Sequence, residues 1–374
     1  MHLGDLPVWK GVQDRPGFET LPFVLRVQQG LIRLDTKAVD VRSVVDRYGS
    51  PSYTFITTPP GMSEWGTSRG DWYFREFAAV AGDLAGKTVM ELGAGTVHVA
   101  QRVVNELHAR HFIVCDPAIE ADQRSTSIEI VPEYFDYSTF RDRKIDLVMS
   151  INNLEHIPDP FQYLADVRAL LDSTGGKLFV VVPECSRGLR TGDWGICLHE
   201  HLSYFTETSF IFTARAAGFK PIWLKTAEDT LLALLESETA EVPDEHDSDS
   251  GLLEAAEARF HENVRRMRER LESLKQGNQL RLGMHGCTLG LNNILALLGL
   301  HSDPDIHLFD GDSAKVGKFL PAFDKPIRSS QDPSYSSMTD LVIAAATYYD
   351  QIRAFAIDRQ AFDPERIHTL IPSL

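Results

Sequence analysis

Between residues 86 and 184, short apolar runs alternate with stretches whose apolar residues recur at helical spacing. The apolar runs include TVMEL, HFIVCD, DLVMSI and KLFVVVPE, and the helical stretches include AQRVVNELHA and FQYLADVRALLDS. Strands that alternate with helices are typical of parallel βαβ units. We therefore predict an α/β fold whose main domain is a doubly wound, Rossmann-like parallel sheet.

The pattern changes on either side of this region. LPFVLRV and GLIRLD predict a β-hairpin in a small β-rich module at the start of the chain, and AEVPDEHDSDSG is typical of an acidic linker. A long amphipathic stripe with Leu253, Phe260 and Leu271 predicts one helix, and a second, smaller α/β unit follows it. The predicted division is 1–60 (N-terminal module), 61–240 (main domain), 241–251 (linker) and 252–374 (helix plus a smaller Rossmann-like domain).

Composition restricts the classes of partner. The 374 residues include 37 basic and 53 acidic side chains, a net charge of −16, which repels polynucleotides and anionic membranes. No run of 18 uncharged apolar residues occurs, so we expect no membrane span. The four cysteines form no C-x-x-C pair and are typical of reduced thiols in a cytoplasmic protein. A small-molecule substrate is the expected partner, and the oligomeric state is left open.

The segment TVMELGAGT predicts a strand that enters a glycine turn at Gly93 and Gly95, and the next apolar run ends at Asp116. An acid at the tip of the second strand can bind ribose hydroxyls. The third glycine that a dinucleotide fingerprint requires after Gly95 is missing, so the turn favours S-adenosylmethionine, which has no pyrophosphate. The alternative is a purely structural left-handed turn.

Further residues complete the predicted cofactor site. We expect Glu91 and the turn backbone beside the methionine part and Asp116 beside the ribose. Phe135 and Asp136, which follow the third strand, are expected beside the adenine. The backbone carbonyls of Asn152 or Asn153, after the fourth strand, are expected near the sulfonium. An acid at a strand end could equally cap a helix.

Several motifs together resemble the sugar C-methyltransferase family, which methylates deoxy-ketosugars attached to a nucleotide. They are TTPPGM, ELGAGT, NNLEHIPDP, HEHLSYF and GDSAKVGKFLPAF, and they extend over nearly the whole chain. The resemblance implies that His201 is the general base, with Glu200 beside it and His156 also in the active site.

The chain departs from this family in three places. The family's N-terminal zinc cysteines are missing, since the comparable text is RVQQGL at 26–31, and Leu198 replaces a usual tyrosine. Trp65 stands where an active-site tyrosine is expected, unless that tyrosine is displaced. A metal site made of His199, Glu200 and His201 is disfavoured, because neighbours along an extended loop point apart and no second cluster has zinc-like spacing, so we expect no metal cofactor.

Methylation at carbon needs a base that removes a proton beside a carbonyl and a group that steadies the enolate oxygen. We assign the base to His201, an orienting role to Glu200 and the oxyanion donor to His156. The alternative for a loop histidine is a solvated or packed side chain.

Two regions of the sequence are expected to contribute substrate-binding residues. The Ser-, Thr- and Pro-rich loop before residue 72 could cover a ligand, or it could be a packed connector with buried tryptophans. In the C-terminal unit a second glycine turn and Asp310 repeat the strand–turn pattern, so this turn could face the substrate's nucleotide or be structural. The expected substrate-binding residues are Trp65, His199, Gly286 and Lys315.

Two other functions stay open. One is O- or N-methylation of a small metabolite with the same histidine as base. The other is a protein that binds a nucleotide or S-adenosylmethionine without catalysis.

Overall fold

The computed structural model describes residues 1–38, 60, 64–120, 123–227, 229–238, 249–276 and 280–369. Three sheets organise these residues, and the predicted α/β class is confirmed. The strands are β1 (His2–Pro7), β2 (Thr20–Gln28), β3 (Leu31–Leu34), β4 (Thr88–Leu92), β5 (His111–Cys115), β6 (Ile128–Val131), β7 (Leu147–Ile151), β8 (Lys177–Pro183), β9 (Ser203–Tyr204), β10 (Phe219–Ala227), β11 (Thr230–Ser237), β12 (Leu282–His285), β13 (Ile306–Asp310), β14 (Arg328–Ser329), β15 (Asp340–Ile343) and β16 (Ile367–Thr369).

The α-helices cover the faces of these sheets and connect them. They are α1 (Glu64–Val80), α2 (His98–Glu106), α3 (Tyr137–Phe140), α4 (Pro160–Asp172), α5 (Ser186–Thr191), α6 (Glu207–Ala216), α7 (Ser250–Lys275), α8 (Leu289–Leu297) and α9 (Tyr349–Asp358). Sequence signals explain two of the starts. Asp159 accepts a hydrogen bond from the backbone N–H of Gln162 at the start of α4, and Thr206 forms a capping box with Ser209 at the start of α6.

The central sheet has seven strands in the order β10-β11-β8-β7-β4-β5-β6. Strands β4 to β8 run parallel, β11 pairs antiparallel with β8, and β10 pairs antiparallel with β11 at the edge of the sheet. All five residues of β4 are buried, as expected for a central parallel strand covered on both faces. The carboxyl ends of β4, β5 and β7 meet at one edge, where ligands of such sheets bind.

The N-terminal sheet has the order β1-β2-β3-β9. The predicted hairpin is confirmed: β2 pairs antiparallel with β3 across a turn at Gln29 and Gly30, which both have positive φ angles of 52° and 71°. The fourth strand, β9, follows the HEH segment directly. The pairing of Ile32 with Tyr204 therefore ties this sheet to the loop of the predicted base.

The C-terminal sheet is parallel, in the order β14-β13-β12-β15-β16. Residues that follow its strands contact loops of the central domain. The Asn293 amide, on the helix after β12, donates to the backbone carbonyl of Trp194 at 3.1 Å. Thr347, after β15, lies 3.5 Å from the Asp229 carboxylate in the β10–β11 turn.

Two expectations differ from the structure or lie outside it. Helix α1 begins at Glu64, eight residues before the predicted start, so Trp65 is helical and not in a loop. Most of the predicted covering loop and of the acidic linker falls on residues 39–59, 61–63 and 239–248, outside the described residues. Within the described ranges, no helix has both the length and the apolar character that a membrane crossing requires.

Acidification is expected to lower the folding stability of the C-terminal domain, because His285 is buried in its neutral form. This side chain is 5% exposed and its Nδ1 lies 2.8 Å from the Tyr335 hydroxyl. Burial lowers its pKa to about 4, against ~6.5 in an unfolded chain. The unfolded state therefore binds more protons between these values, so the stabilisation is complete above pH ~6.5 and is lost as pH falls towards 4.

We expect the melting temperature of His285→Asn to fall less than that of the wild type when pH is lowered from 7 to 5. Differential scanning fluorimetry at both pH values tests this, with the exposed His261→Asn as control. Equal pH dependence in His285→Asn and the wild type would contradict it.

Candidate active site

Glu91 and the glycine turn lie at the carboxyl end of the central strand β4. Burial raises the pKa of the Glu91 carboxyl to about 8, and the nearby Asp116 carboxylate adds to the shift. Its Oε2 atom is buried and has no hydrogen-bond partner among the described residues. Gly93 has a φ of +72°, and a Cβ there would lie 2.4 Å from the Asn153 side chain. The turn thus requires glycine, and Glu91 has an oxygen available to a ligand.

Asp116 is bound to the same turn. One carboxylate oxygen accepts from the Gly95 N–H at 2.8 Å, and the other accepts from the Ala118 N–H at 2.7 Å. Burial raises the pKa of Asp116, although these two hydrogen bonds oppose the shift. Each carboxylate oxygen can accept a second hydrogen bond, so two ribose hydroxyls could still bind there.

An aromatic cluster joins the remaining predicted cofactor residues. The Asn153 amide donates to the Tyr163 hydroxyl at 3.0 Å, and the ring of Tyr163 lies edge-on to Phe135 at 5.7 Å. Asn153 also covers Gly93. Asn152 has a φ of +48° and, like Asp136, is exposed; Asp136 accepts hydrogen bonds from Ser138 and Thr139 at the start of α3. The structure therefore brings Phe135 and Asn153 to the glycine turn.

His156 and His201 form an edge-to-face pair with ring centroids 5.0 Å apart. His156 Nδ1 lies 2.9 Å from the backbone carbonyl of Glu200, so Nδ1 carries the proton. Burial lowers the pKa of His156 to about 4 and that of His201 well below 6.5, where the neighbouring His156 adds to the shift. Both rings are neutral at pH 7, as a general base must be before it reacts.

This geometry corrects the predicted role of His156. In a neutral ring with its proton on Nδ1, Nε2 carries a lone pair and cannot donate a hydrogen bond. His156 therefore cannot steady an enolate oxygen. The sequence does not reveal this, because the tautomer depends on the carbonyl of Glu200, 44 residues away.

His199 also differs from its predicted role. It is 1% exposed, its Nε2 lies 3.2 Å from the Leu21 carbonyl, and its ring contacts Phe23 edge-on at 5.2 Å. The HEH segment thus places one histidine against the N-terminal sheet and the other against His156. We remove His199 from the substrate-binding set because its contacts are with the packed core. Glu200 is also buried.

Sequence reasoning missed Glu155. It is 1% exposed, and burial raises the pKa of its carboxyl to about 8. Its Oε1 atom lies 3.8 Å from His156 Nε2. The only signal was its position beside His156 in NNLEHIPDP, and its proximity to His201 depends on the tertiary fold.

Tyr73, on α1, was missed as well. Its hydroxyl oxygen accepts from Arg69 Nε at 2.9 Å and from the Asn152 amide at 3.2 Å. Its own O–H proton has no acceptor among the described residues. Arg69 also donates to Thr230, which pairs with Pro183 at the end of β8. The phenol therefore lies at the carboxyl edge of the central sheet with one donor unused.

The other predicted substrate residues lie in or against the C-terminal domain. Trp65 Nε1 donates to the Tyr348 hydroxyl of the C-terminal domain at 3.0 Å. Gly286 has a φ of +95° and closely approaches Ala345. Lys315 Nζ binds the Asp310 carboxylate at 3.0 Å and the Cys287 carbonyl at 3.3 Å.

The sequence of residues 69–223 matches the family model described as a methyltransferase domain. The chain is an S-adenosylmethionine-dependent methyltransferase. This confirms the predicted enzyme class and cofactor, whereas the match does not distinguish the sugar C-methyltransferases. No curated protein matches the methyltransferase significantly.

Solved structures with similar folds cover less than half of the methyltransferase. A chain of the complex between the Haloferax volcanii Trm112 methyltransferase activator and a methyltransferase is 15% identical, with a TM-score of 0.40 over 47% of this chain and 93% of that chain. An O-methyltransferase family protein from Burkholderia thailandensis is 15% identical, with a TM-score of 0.36 over 47% and 60%. The N,N-8-amino-8-demethyl-D-riboflavin dimethyltransferase RosA from Streptomyces davawensis is 14% identical, with a TM-score of 0.37 over 47% and 57%. We draw no conclusion about substrate from these likenesses.

The residues present fit S-adenosylmethionine. The Glu91 oxygen that has no partner among the described residues can accept from the cofactor's ammonium group, and the Asp116 carboxylate can accept from its ribose hydroxyls. The cofactor supplies an electrophilic methyl group on a sulfonium.

Replacing Asp116 with alanine is expected to weaken binding of S-adenosylmethionine about tenfold or more. Lost hydrogen bonds to a charged group cost roughly 1.5–3 kcal/mol. Calorimetry with S-adenosylhomocysteine measures the loss.

Asp310→Ala is the matched control for Asp116→Ala. Asp310 accepts from the Cys287 and Asp312 N–H groups, just as Asp116 accepts from Gly95 and Ala118. We expect unchanged cofactor affinity in Asp310→Ala. Equal affinities in the wild type and Asp116→Ala would remove Asp116 from the cofactor site.

Proposed function

We propose that the methyltransferase methylates a carbon beside the carbonyl of a nucleotide-linked ketosugar, with His201 as general base. The observation that carries this proposal is the neutral His156–His201 pair, in which His156 follows β7 at the carboxyl edge of the central sheet. Carbon becomes nucleophilic only after loss of a proton, and the neutral, half-buried imidazole of His201 can take it.

The proposed reaction has two steps, proton removal and methyl transfer. His201 removes a proton from the carbon beside the carbonyl, and the electron pair forms an enolate. The enolate carbon then bonds to the methyl group as the carbon–sulfur bond breaks, which leaves S-adenosylhomocysteine. The proton passes from His201 to solvent, and the reaction needs no metal cofactor.

Tyr73 is the proposed donor to the enolate oxygen, in place of His156. Its hydroxyl is held by Arg69 and Asn152, and its own proton is unused among the described residues. A positioned donor of this kind needs no reorganisation when the negative charge develops.

We place the nucleotide at the carboxyl edge of the C-terminal sheet. Asp310 and the turn after β12 repeat the hydrogen-bond pattern of Asp116 and its turn. Lys315 at this turn offers a cation for phosphate oxygens, and Gly286 belongs to the turn itself. The hydrogen bond from Trp65 to Tyr348 supports a role of the tryptophan near the C-terminal domain.

A cytoplasmic setting is part of the same proposal. All four cysteines, Cys115, Cys185, Cys197 and Cys287, are buried and free, which suits a reducing compartment.

Hydrogen exchange tests the proposed chemistry without methyl transfer. The enzyme is incubated in deuterated water with S-adenosylhomocysteine and a deoxy-ketosugar nucleotide, and the sugar is examined by NMR. We expect deuterium to replace the proton beside the carbonyl. If methylation occurs with S-adenosylmethionine but no carbon-bound proton exchanges, the base acts on oxygen or nitrogen and the enzyme is an O- or N-methyltransferase. If neither occurs with any candidate acceptor, the non-catalytic alternative gains support.

A further inference from the structure

We propose that Glu155, His156 and His201 form a binding site for a divalent transition metal such as Zn²⁺, and that the bound ion blocks the base. One potential ligand atom from each of the three residues lies within 4.8 Å of the others. This site goes beyond the proposed methylation, which needs no metal.

His156 has the tautomer that a metal ligand needs. Its Nδ1–H donates to the Glu200 carbonyl at 2.9 Å, so the lone pair is on Nε2. Such an outer hydrogen bond commonly fixes the orientation of metal-binding histidines and raises their basicity. Nε2 lies 3.8 Å from Glu155 Oε1, beyond hydrogen-bond distance. A cation that displaces the Glu155 proton could bind both atoms at once.

Glu155 supplies an independent observation. It is 1% exposed, and its Oε2 atom has no hydrogen-bond partner among the residues that the structure describes. A buried carboxylate oxygen without a partner is costly. A bound metal ion would replace the carboxyl proton and give this oxygen a partner.

The donor set favours a transition metal. Two imidazoles and one carboxylate are a known zinc ligand set with an open fourth position, whereas Mg²⁺ and Ca²⁺ prefer oxygen ligands. Ligand bonds of about 2.0–2.1 Å hold tetrahedral ligand atoms about 3.3 Å apart. The 3.8 Å between His156 and Glu155 requires only a small side-chain movement.

Metal binding and proton abstraction exclude each other at His201, since both use an imidazole lone pair. The inhibition rests on the proposed function, because it requires His201 to be the base. The metal site itself does not, since it depends only on the three ligands.

Direct binding of Co²⁺ and Zn²⁺ tests the site. Chelator-treated enzyme is titrated with Co²⁺ and followed by visible absorption, and Zn²⁺ binding is then measured by competition. We expect one saturable equivalent with a spectrum typical of low coordination number, and at least tenfold weaker binding in Glu155→Gln. Glu184→Gln is the matched control, because this buried carboxylate at the same sheet edge already accepts hydrogen bonds from Ser186. No saturable binding, or equal affinity in Glu155→Gln and the wild type, would overturn the site.

Methylation assays with added Zn²⁺ test separately whether the bound ion blocks His201. We expect Zn²⁺ to inhibit methylation at the concentration that fills the site and a chelator to restore it. Zn²⁺ binding without inhibition would overturn the block while leaving the site intact. Failure of proton exchange in metal-free wild type would instead count against the proposed function.

Discussion

Methylation by His201→Asn is expected to fall by about 10²–10⁴-fold, the usual contribution of a general base. Asparagine has no group that takes a proton at neutral pH, and the enolate should therefore not form. Deuterium exchange of the acceptor should stop together with methylation. Calorimetry should show nearly unchanged affinity for S-adenosylhomocysteine, since the base acts on the acceptor.

The neighbouring His199→Asn is the matched control for this variant. His199 belongs to the same HEH segment but contacts Leu21 and Phe23 of the N-terminal sheet. Its replacement should lower thermal stability while deuterium exchange continues in the folded fraction. Near-normal turnover in His201→Asn would show that His201 has only a structural role.

Tyr73→Phe is expected to lower kcat by about 10²–10³-fold, as loss of one oxyanion donor does in other enzymes. The ring stays in the core beside Phe74 and Phe77, so the change removes little more than the hydroxyl. The rate of deuterium exchange should fall together with kcat, because exchange and methylation both pass through the enolate. Affinity for S-adenosylhomocysteine should change little.

Tyr163→Phe is the matched control for Tyr73→Phe, because it also removes a buried tyrosine hydroxyl. Tyr163 lies at the same sheet edge, but its hydroxyl is engaged by Asn153 and lies 3.5 Å from Ser150. We expect an effect mainly on cofactor affinity, because Asn153 covers the glycine turn. If Tyr73→Phe exchanges the acceptor proton as fast as the wild type does, another group steadies the enolate.

Short-range features of the sequence determined the main elements of the fold. The alternation of apolar runs with helical patterns predicted the parallel sheet, because burial on both faces requires continuous apolar strands. The starts of α4 and α6 also depend on local sequence, because the side chains of Asp159 and Thr206 accept from backbone N–H groups three residues away. The start of α1 was misplaced by eight residues, since Gly66 and Gly70 resemble loop residues although both are buried against neighbours.

The glycine turn could also be predicted from the sequence, since Glu91, Gly93 and Gly95 lie within five residues and Asp116 follows the adjacent strand.

The arrangement of the acid–base groups could be predicted only in part. Whether a histidine of the HEH segment contacts His156 or the N-terminal sheet depends on the pairing of β3 with β9, which joins residues 170 positions apart. The tautomer of His156 depends on the carbonyl of Glu200, and the position of Glu155 beside both depends on the turn after β7. The sequence by itself determined which residue types are present and which strands carry them. Only the tertiary structure decided which lone pairs and protons face one another, because those contacts join segments that no local pattern connects.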